Sequence, residues 1–212
     1  MNDELAPQDT AEWIAARVGS LGASKIGDAL SRLKRTGDRT KAALDLMYEL
    51  AAERLTGQPA RRVNPMQWGI DHEDEARAAY AFLTNEPVVR VGLIPHPTIP
   101  HAHASPDSLV GEDGGLEIKC PTSSTHLQTL LADAVPEDHL PQAYWGMACT
   151  GRAFWDFVSY DPRFPPGLQF FVKRIERNEE AIATMEYEAR VFLVDIEAKL
   201  AALAERYAWE AA

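Results

Sequence analysis

The sequence predicts an α/β or α+β fold with a mostly central sheet. Three observations lead there. The first third of the chain shows helical spacing and helix caps. The middle switches to short β-branched runs between turn residues, and the chain closes on one long amphipathic stretch. A length of 212 residues with 46% hydrophobic residues suits one folded domain with a sizeable core.

Taken in order, Asp9 or Thr10 can cap a helix carrying Trp13, Ile14 and Val18. Ser24 can cap a short helix with Ile26 and Leu30, and Thr40 opens a run that ends at Gly57. Asn64-Pro65-Met66-Gln67 combines an N-cap, a proline at the first helical position and a glutamine three residues after the cap. The helix it starts carries Trp68 and Glu73 and runs to about Leu83. Pro87 to Ile94 (PVVRVGLI) then reads as a strand, with short extended pieces at His101 to Ser105 and Ser108 to Val110. Gly114-Gly115 is expected to turn the chain into a strand over Leu116–Cys120. A helix near Leu127–Leu131 and another from Glu137 to Thr150 follow. Ala153–Tyr160 and Leu168–Glu176 are two more strands around the proline-rich turn DPRFPPG. Asn178 caps a final helix with Ile182, Met185, Phe192, Ile196 and Leu200 on one side. No internal repeat or long linker divides the chain, so 1–212 reads as one domain.

Composition excludes several classes. No run approaches 18 apolar residues, so no membrane-spanning helix is expected. The opening MNDELAPQDT lacks the apolar stretch of a secretory signal. Cys120 and Cys149 cannot build a disulfide framework or a four-thiolate cluster, which points to a reducing cytoplasm. The net charge of −11 argues against bulk electrostatic adhesion to nucleic acid. Its distribution is uneven. Between Arg17 and Lys41 stand seven basic and two acidic residues, whereas residues 63–212 hold 11 basic and 23 acidic ones. A basic segment on an acidic body is either a focused anion site or a solvated helical face.

The chemistry concentrates in Ser105-Pro106-Asp107, nine intervening residues, and Glu117-Ile118-Lys119-Cys120-Pro121. Strand alternation sends Glu117 and Lys119 to one face and Leu116 and Ile118 to the other. A hairpin can return Glu117 beside Asp107. Two carboxylates then suit a hard cation such as Mg²⁺, which one or two carboxylates usually hold together with waters and phosphate oxygens. The carbonyl of Ile118 can add a ligand. Such a cation neutralises phosphoryl oxygens and activates a water, with Lys119 placed to hold that water or to stabilise charge. E-x-K alone is common on surface strands, and the upstream S-P-D and the following C-P are what single it out.

With these residues the chain resembles the phage lambda exonuclease branch of the PD-(D/E)XK nuclease superfamily, the alkaline exonucleases and viral recombinases. The likeness spans nearly the whole chain. Trp68-Gly69 with Glu73 looks like the family's W-G-x(3)-E helix, Gln142 in LPQAYWGM like its Q-x-Q-type helix, and Tyr160-Asp161-Pro162-Arg163 like its Y-D-P-R. Trp13, Arg17, Gly19, Ala23 and Ser24 fit a W-x(3)-R-x-G-x(3)-A-S pattern. The resemblance implies a restriction-endonuclease-like core, a central mixed β-sheet flanked by helices, with a helical N-terminal region and a long C-terminal helix. It implies metal ligation by Asp107, Glu117 and the Ile118 carbonyl, and catalytic places for Lys119, Glu73 and Gln142. Arg17, Ser24, Ser105 and Trp13 would contact the DNA and its 5′-terminal phosphate, although Trp13 fits core packing at least as well as base stacking.

On that basis residues 1–62 form a DNA-end and phosphate-binding portion, 63–176 the catalytic core and 177–212 the closing helix. The expected activity is a Mg²⁺-dependent, or Mn²⁺-dependent, 5′-to-3′ exonuclease acting on duplex DNA ends with a 5′-phosphate. It would leave 3′ single strands for phage recombination by strand annealing. A toroidal homotrimer, a single-strand annealing protein as partner and a bacterial host cytoplasm are implied in the same way. A PD-(D/E)XK endonuclease, a RecB-like nuclease and a non-catalytic DNA-end module are the alternatives. Two departures stand out: the usual S-P-D-G is Ser105-Pro106-Asp107-Ser108 here, and Thr-Ser-Ser-Thr-His after Pro121 lacks the family's arginine. His101 and His103 have no third ligand at metal spacing and read as solvated or supporting residues.

Overall fold

A computed structural model describes residues 7–8, 10–60 and 67–207 of the chain. In order these form α1 (Ala11–Arg17), β1 (Leu21–Gly22), α2 (Ile26–Leu30), α3 (Lys41–Thr56), α4 (Gln67–Thr84), β2 (Val88–Val89), β3 (Ile94–Pro95), β4 (Ala102–Ala104), β5 (Ser108–Val110) and β6 (Gly114–Lys119). The chain continues through α5 (Ser123–Ala132), α6 (Leu140–Thr150), β7 (Phe154–Tyr160), β8 (Phe170–Glu176) and α7 (Glu179–Tyr207). A five-stranded sheet has the order β2-β5-β6-β7-β8, and a smaller one the order β1-β4-β3. Both are mixed: β6 runs antiparallel to β5 and parallel to β7, and β4 runs parallel to β1 and antiparallel to β3. The architecture is therefore the mixed α/β one expected, with a long C-terminal helix.

Several ends follow the local chemistry. Thr10 caps α1, accepting from Trp13 N, while Asp9 lies outside the described residues; Thr40 caps α3 by accepting from Ala43 N at 3.2 Å. Gly57 closes α3 in the left-handed region, and Asn178 Oδ1 accepts from Ala181 N ahead of α7. The proposed cap at Asn64 lies outside the described residues. Ser24 departs from its expected role: it sits inside a 3₁₀ turn, Ala23–Lys25, and the caps at Gly22 and Lys25 use no side chain.

Two strand expectations and one helix start also change. PVVRVGLI is not one strand, because Val88–Val89 pairs with β5 while Ile94–Pro95 pairs with β4 in the other sheet. An apolar run fixes burial but not the partner, so periodicity alone could not divide it. Gly114-Gly115 is not the hairpin turn either. Both glycines lie in β6, and the turn comes at 111–113, where Gly111 has φ +50°. A Cβ on Gly114 would stand 2.3 Å from the Phe154 ring, and one on Gly115 2.2 Å from the Trp155 ring. These glycines clear space for β7 aromatics, a use of glycine inside strands that sequence easily confuses with a turn. The helix expected from Glu137 starts as a 3₁₀ turn, Glu137–His139, before α6, and Pro166–Leu168 adds another ahead of β8.

One core cluster joins α2, α3, α6 and α7 around Leu46, Met47, Trp145, Phe192 and Ile196. A second packs Ala76 and Tyr80 of α4 against Val110, Leu116, Ile118 and Val158 of the large sheet. Part of the basic segment, together with Arg54 of α3, engages the last helix. Arg32 pairs with Glu188, Arg39 with Asp195 at 2.6 Å, and Arg54 with Glu197. Two of the seven basic residues between Arg17 and Lys41, Arg32 and Arg39, thus meet acids of α7, while Arg17 and Lys25 line a cavity. No described helix is long and apolar enough to cross a membrane.

Candidate active site

The register of the β5–β6 hairpin, Ser108 opposite Leu116, places Asp107 alongside Glu117. Asp107 Oδ2 accepts from the Ile118 backbone N–H at 2.6 Å. Glu117, 4% exposed, accepts from Lys119 Nζ and from Gln142 Nε2, each at 2.5 Å and each at Oε1. The alternation of β6 is the expected one: Leu116 and Ile118 enter the core beneath α4, while Glu117 and Lys119 share the opposite face. Gln142 arrives from the start of α6, and Glu73 from α4, where it is ion-paired with Arg77.

Electrostatics shows what the pocket lacks. Burial, then the neighbouring Glu117 and Glu73, push the Asp107 carboxyl well above the ordinary carboxylate range. Burial opposes the Lys119 ammonium, but Glu117 and Asp107 outweigh it and hold the amine protonated more firmly than usual. A buried acid and a half-buried one with a single lysine are thus short of positive charge. That is the setting in which a divalent cation fits. Among the described residues no three His, Cys, Asp or Glu side chains converge as a metal-holding group. The donors available are Asp107, Glu117 and backbone oxygen, a small set that matches Mg²⁺ better than zinc. Burial pushes the adjacent Cys120 thiol up to about 12, so it is no nucleophile at neutral pH.

Arg17, Ser24 and His103 line a neighbouring cavity of about 400 Å³, together with Ser20, Lys25 and Glu53. Arg17 Nη1 donates to Ser105 Oγ at 3.4 Å, which links this cavity to the segment between β4 and β5 that carries Asp107. Trp13 is 6% exposed with the Arg17 guanidinium 4.1 Å above its ring. Its place is in the packing beneath Arg17. The two histidines do not share a strand face. His101 precedes β4 in the left-handed region, while His103 is buried with Nδ1 2.8 Å from Ser20 Oγ.

Burial and Arg17 push the His103 imidazole down to about 3. Its folded value lies below the unfolded one of about 6.5, so its contribution to stability is complete above that value. It is lost as pH falls toward 3, by about 1.4 kcal/mol per pH unit. Chemical denaturation of the protein and of His103→Leu between pH 7 and pH 4 should show that slope reduced in the variant.

Two supports are not assigned from the sequence: the Y-D-P-R segment is named there without a role, and Arg77 is passed over. Asp161 at the end of β7 is fully buried, accepts from both Arg163 and Ser123, and is held well below the carboxylate range chiefly by Arg163. Arg163 in turn lies 4.1 Å over Trp68, so the Y-D-P-R segment braces α5 and α4 against the sheet. The second support is Arg77, whose i,i+4 and i,i+3 spacing to Glu73 and Asp74 was the available signal.

Comparison with known proteins identifies the family and the fold. The family model described as YqaJ-like viral recombinase domain matches residues 12–153. The fold is similar to an alkaline exonuclease, LHK-Exo, from Laribacter hongkongensis. The identity is 42% and the TM-score 0.88, over 94% of this chain and 98% of that one. The same values hold for LHK-Exo in complex with dAMP. A phage-related exonuclease from Haemophilus somnus 129PT shares the fold at 14% identity and TM-score 0.62, over 85% of this chain and 96% of that one. A search of curated proteins finds no match.

Proposed function

The chain belongs to the YqaJ-like viral recombinase domain family and has a nuclease role; from that premise we propose that it is a Mg²⁺-dependent exonuclease degrading one strand of duplex DNA, 5′ to 3′, from a 5′-phosphorylated end. The observation that carries this reading is the convergence of Asp107, Lys119 and Gln142 around the buried Glu117. The dAMP bound by the similar LHK-Exo, a deoxynucleoside 5′-monophosphate, is the kind of product such cleavage releases.

In this proposal Asp107, Glu117 and the Ile118 carbonyl hold Mg²⁺, with Mn²⁺ as a substitute. When bound, the ion supplies charge neutralisation at the scissile phosphate and a more acidic water. Gln142 fixes the Glu117 carboxylate by its hydrogen bond. Lys119, standing on the same strand face, orients the attacking water and stabilises charge on the phosphate. Glu73 adds negative potential from α4. Arg17 and Ser24 hold the terminal phosphate in the neighbouring cavity, and Ser105 positions Arg17. Residues 1–62 then form the end-binding portion, 63–176 the catalytic core and 177–212 the closing helix. A toroidal homotrimer in a host cytoplasm, feeding 3′ single strands to an annealing protein, completes the reading.

Linear duplex labelled at either the 5′ or the 3′ end, digested with and without Mg²⁺, tests class, metal need and polarity together. Cutting of a nick-free circular plasmid would favour an endonuclease instead. Arg17→Ala should slow digestion about 10–100-fold on 5′-phosphorylated ends, the worth of a charge-assisted contact. Equal slowing on 5′-hydroxyl ends would remove Arg17 from the phosphate site.

A further inference from the structure

Arg77 is a nearly buried cation that reaches two parts of the site at once. It is 9% exposed and lies one turn after Glu73 on α4. Its Nη2 pairs with Glu73 and its Nη1 with the solvent-facing Asp74. Its Nε donates to Ser108 Oγ at 3.0 Å. Ser108, with no exposed surface, passes the contact on by donating to the Asp107 carbonyl oxygen at 2.6 Å. One rigid guanidinium therefore binds a carboxylate on α4 and, through a single hydroxyl, the backbone of the acid that begins β5.

A bond to the exposed Asp74 alone would leave much of a buried guanidinium unsatisfied. The remaining nitrogens are satisfied by groups that adjoin the proposed metal centre. Ser108 stands where the resembled pattern has glycine, and its backbone is ordinary strand, without the positive φ that glycine would serve. The serine changes the chemistry of the position and leaves its geometry alone: a glycine offers Arg77 Nε no acceptor.

We propose that Arg77 is a positioning residue. It fixes the direction of the Glu73 carboxylate and, through Ser108, the backbone orientation of Asp107, so that the acids are set before a divalent cation arrives. The planar fork of arginine does this and a lysine cannot, because lysine presents one nitrogen where three directions are used. The inference rests on reading Asp107 and Glu117 as metal ligands.

The test is Mn²⁺ binding to the protein alone, followed by electron paramagnetic resonance, beside single-turnover cleavage and thermal melting. Arg77→Met should weaken Mn²⁺ binding and slow cleavage about 10–100-fold, the usual effect of losing a group that orients a metal ligand. Ser108→Ala should weaken both less. The double variant should bind Mn²⁺ no more weakly than Arg77→Met, because both changes cut one path. Arg77→Lys should recover only part of the loss. Wild-type Mn²⁺ affinity in a folded Arg77→Met protein, or simple additivity in the double variant, overturns the proposal. If Arg77→Met does not fold, Ser108→Ala decides alone, and unchanged Mn²⁺ affinity and cleavage overturn it. A wild-type chain that neither binds Mn²⁺ nor cuts DNA would instead overturn the metal-nuclease reading beneath it.

Discussion

Lys119→Ala is expected to lower the single-turnover cleavage rate about 10²–10⁴-fold, the range for a positioned group that acts on the attacking water, while duplex binding in Ca²⁺ stays near normal. The side chain is a third exposed and is ion-paired with Glu117 on the same strand. Its loss therefore opens no core cavity. Glu117 keeps the hydrogen bond from Gln142, so the carboxylate remains oriented. In the proposed mechanism, what disappears is the positive charge beside the scissile phosphate and the donor for the water. Because Lys119 and a divalent cation compete electrostatically for the same two acids, the variant should bind Mn²⁺ at least as tightly as the wild type. Near-normal turnover at saturating Mg²⁺ would take Lys119 out of the chemistry.

Gly115→Ala is expected to have the largest effect on stability, about 1–3 kcal/mol. The added methyl would meet the Trp155 ring at 2.2 Å, and that ring cannot retreat. Trp155 is 1% exposed, and its far edge lies against Gly146, where a Cβ would come within 2.5 Å. The indole is held in a slot between two glycines, one on β6 and one on α6. At this chain length each kcal/mol shifts the melting temperature by about 2–4 °C. Activity should fall as well, since Gly115 lies two residues from Glu117 on the same strand. Gly167→Ala is the control: a Cβ there meets nothing within 4 Å, and its melt should stay within about 0.5 kcal/mol of wild type. Equal melting of the two variants would show that the slot is not tight.

The hairpin of the site was legible because strand alternation is strict and the intervening segment is short. Asp107, Glu117 and Lys119 meet through contacts that a period of two can express. Gln142 was legible only by resemblance, since its approach depends on how α6 packs over the sheet. The role of Ser108 left no trace in any pattern, because it depends on one guanidinium 31 residues away. Gly114 and Gly115 misled for a definite reason. Glycine marks both a turn and a close approach of side chains, and the aromatic that settles the choice comes roughly forty residues later, across a parallel pairing that only the tertiary fold specifies. The basic N-terminal segment was visible as composition, but its partners Glu188 and Asp195 lie 156 residues on, beyond any local rule.

The parallel pairing of β6 with β7 also orders events as the chain is made. The β5–β6 hairpin is local and closes early, bringing Asp107 and Glu117 together while Phe154–Tyr160 is still unmade. At that stage the β7 wall beside Glu117 is missing, and α6, which carries Gln142, has no completed sheet to pack on. A nascent chain stopped before β7 would thus carry the acids in a hairpin open to water, without the enclosed field that makes them useful. A potentially destructive enzyme would then stay harmless until its last third has emerged from the ribosome.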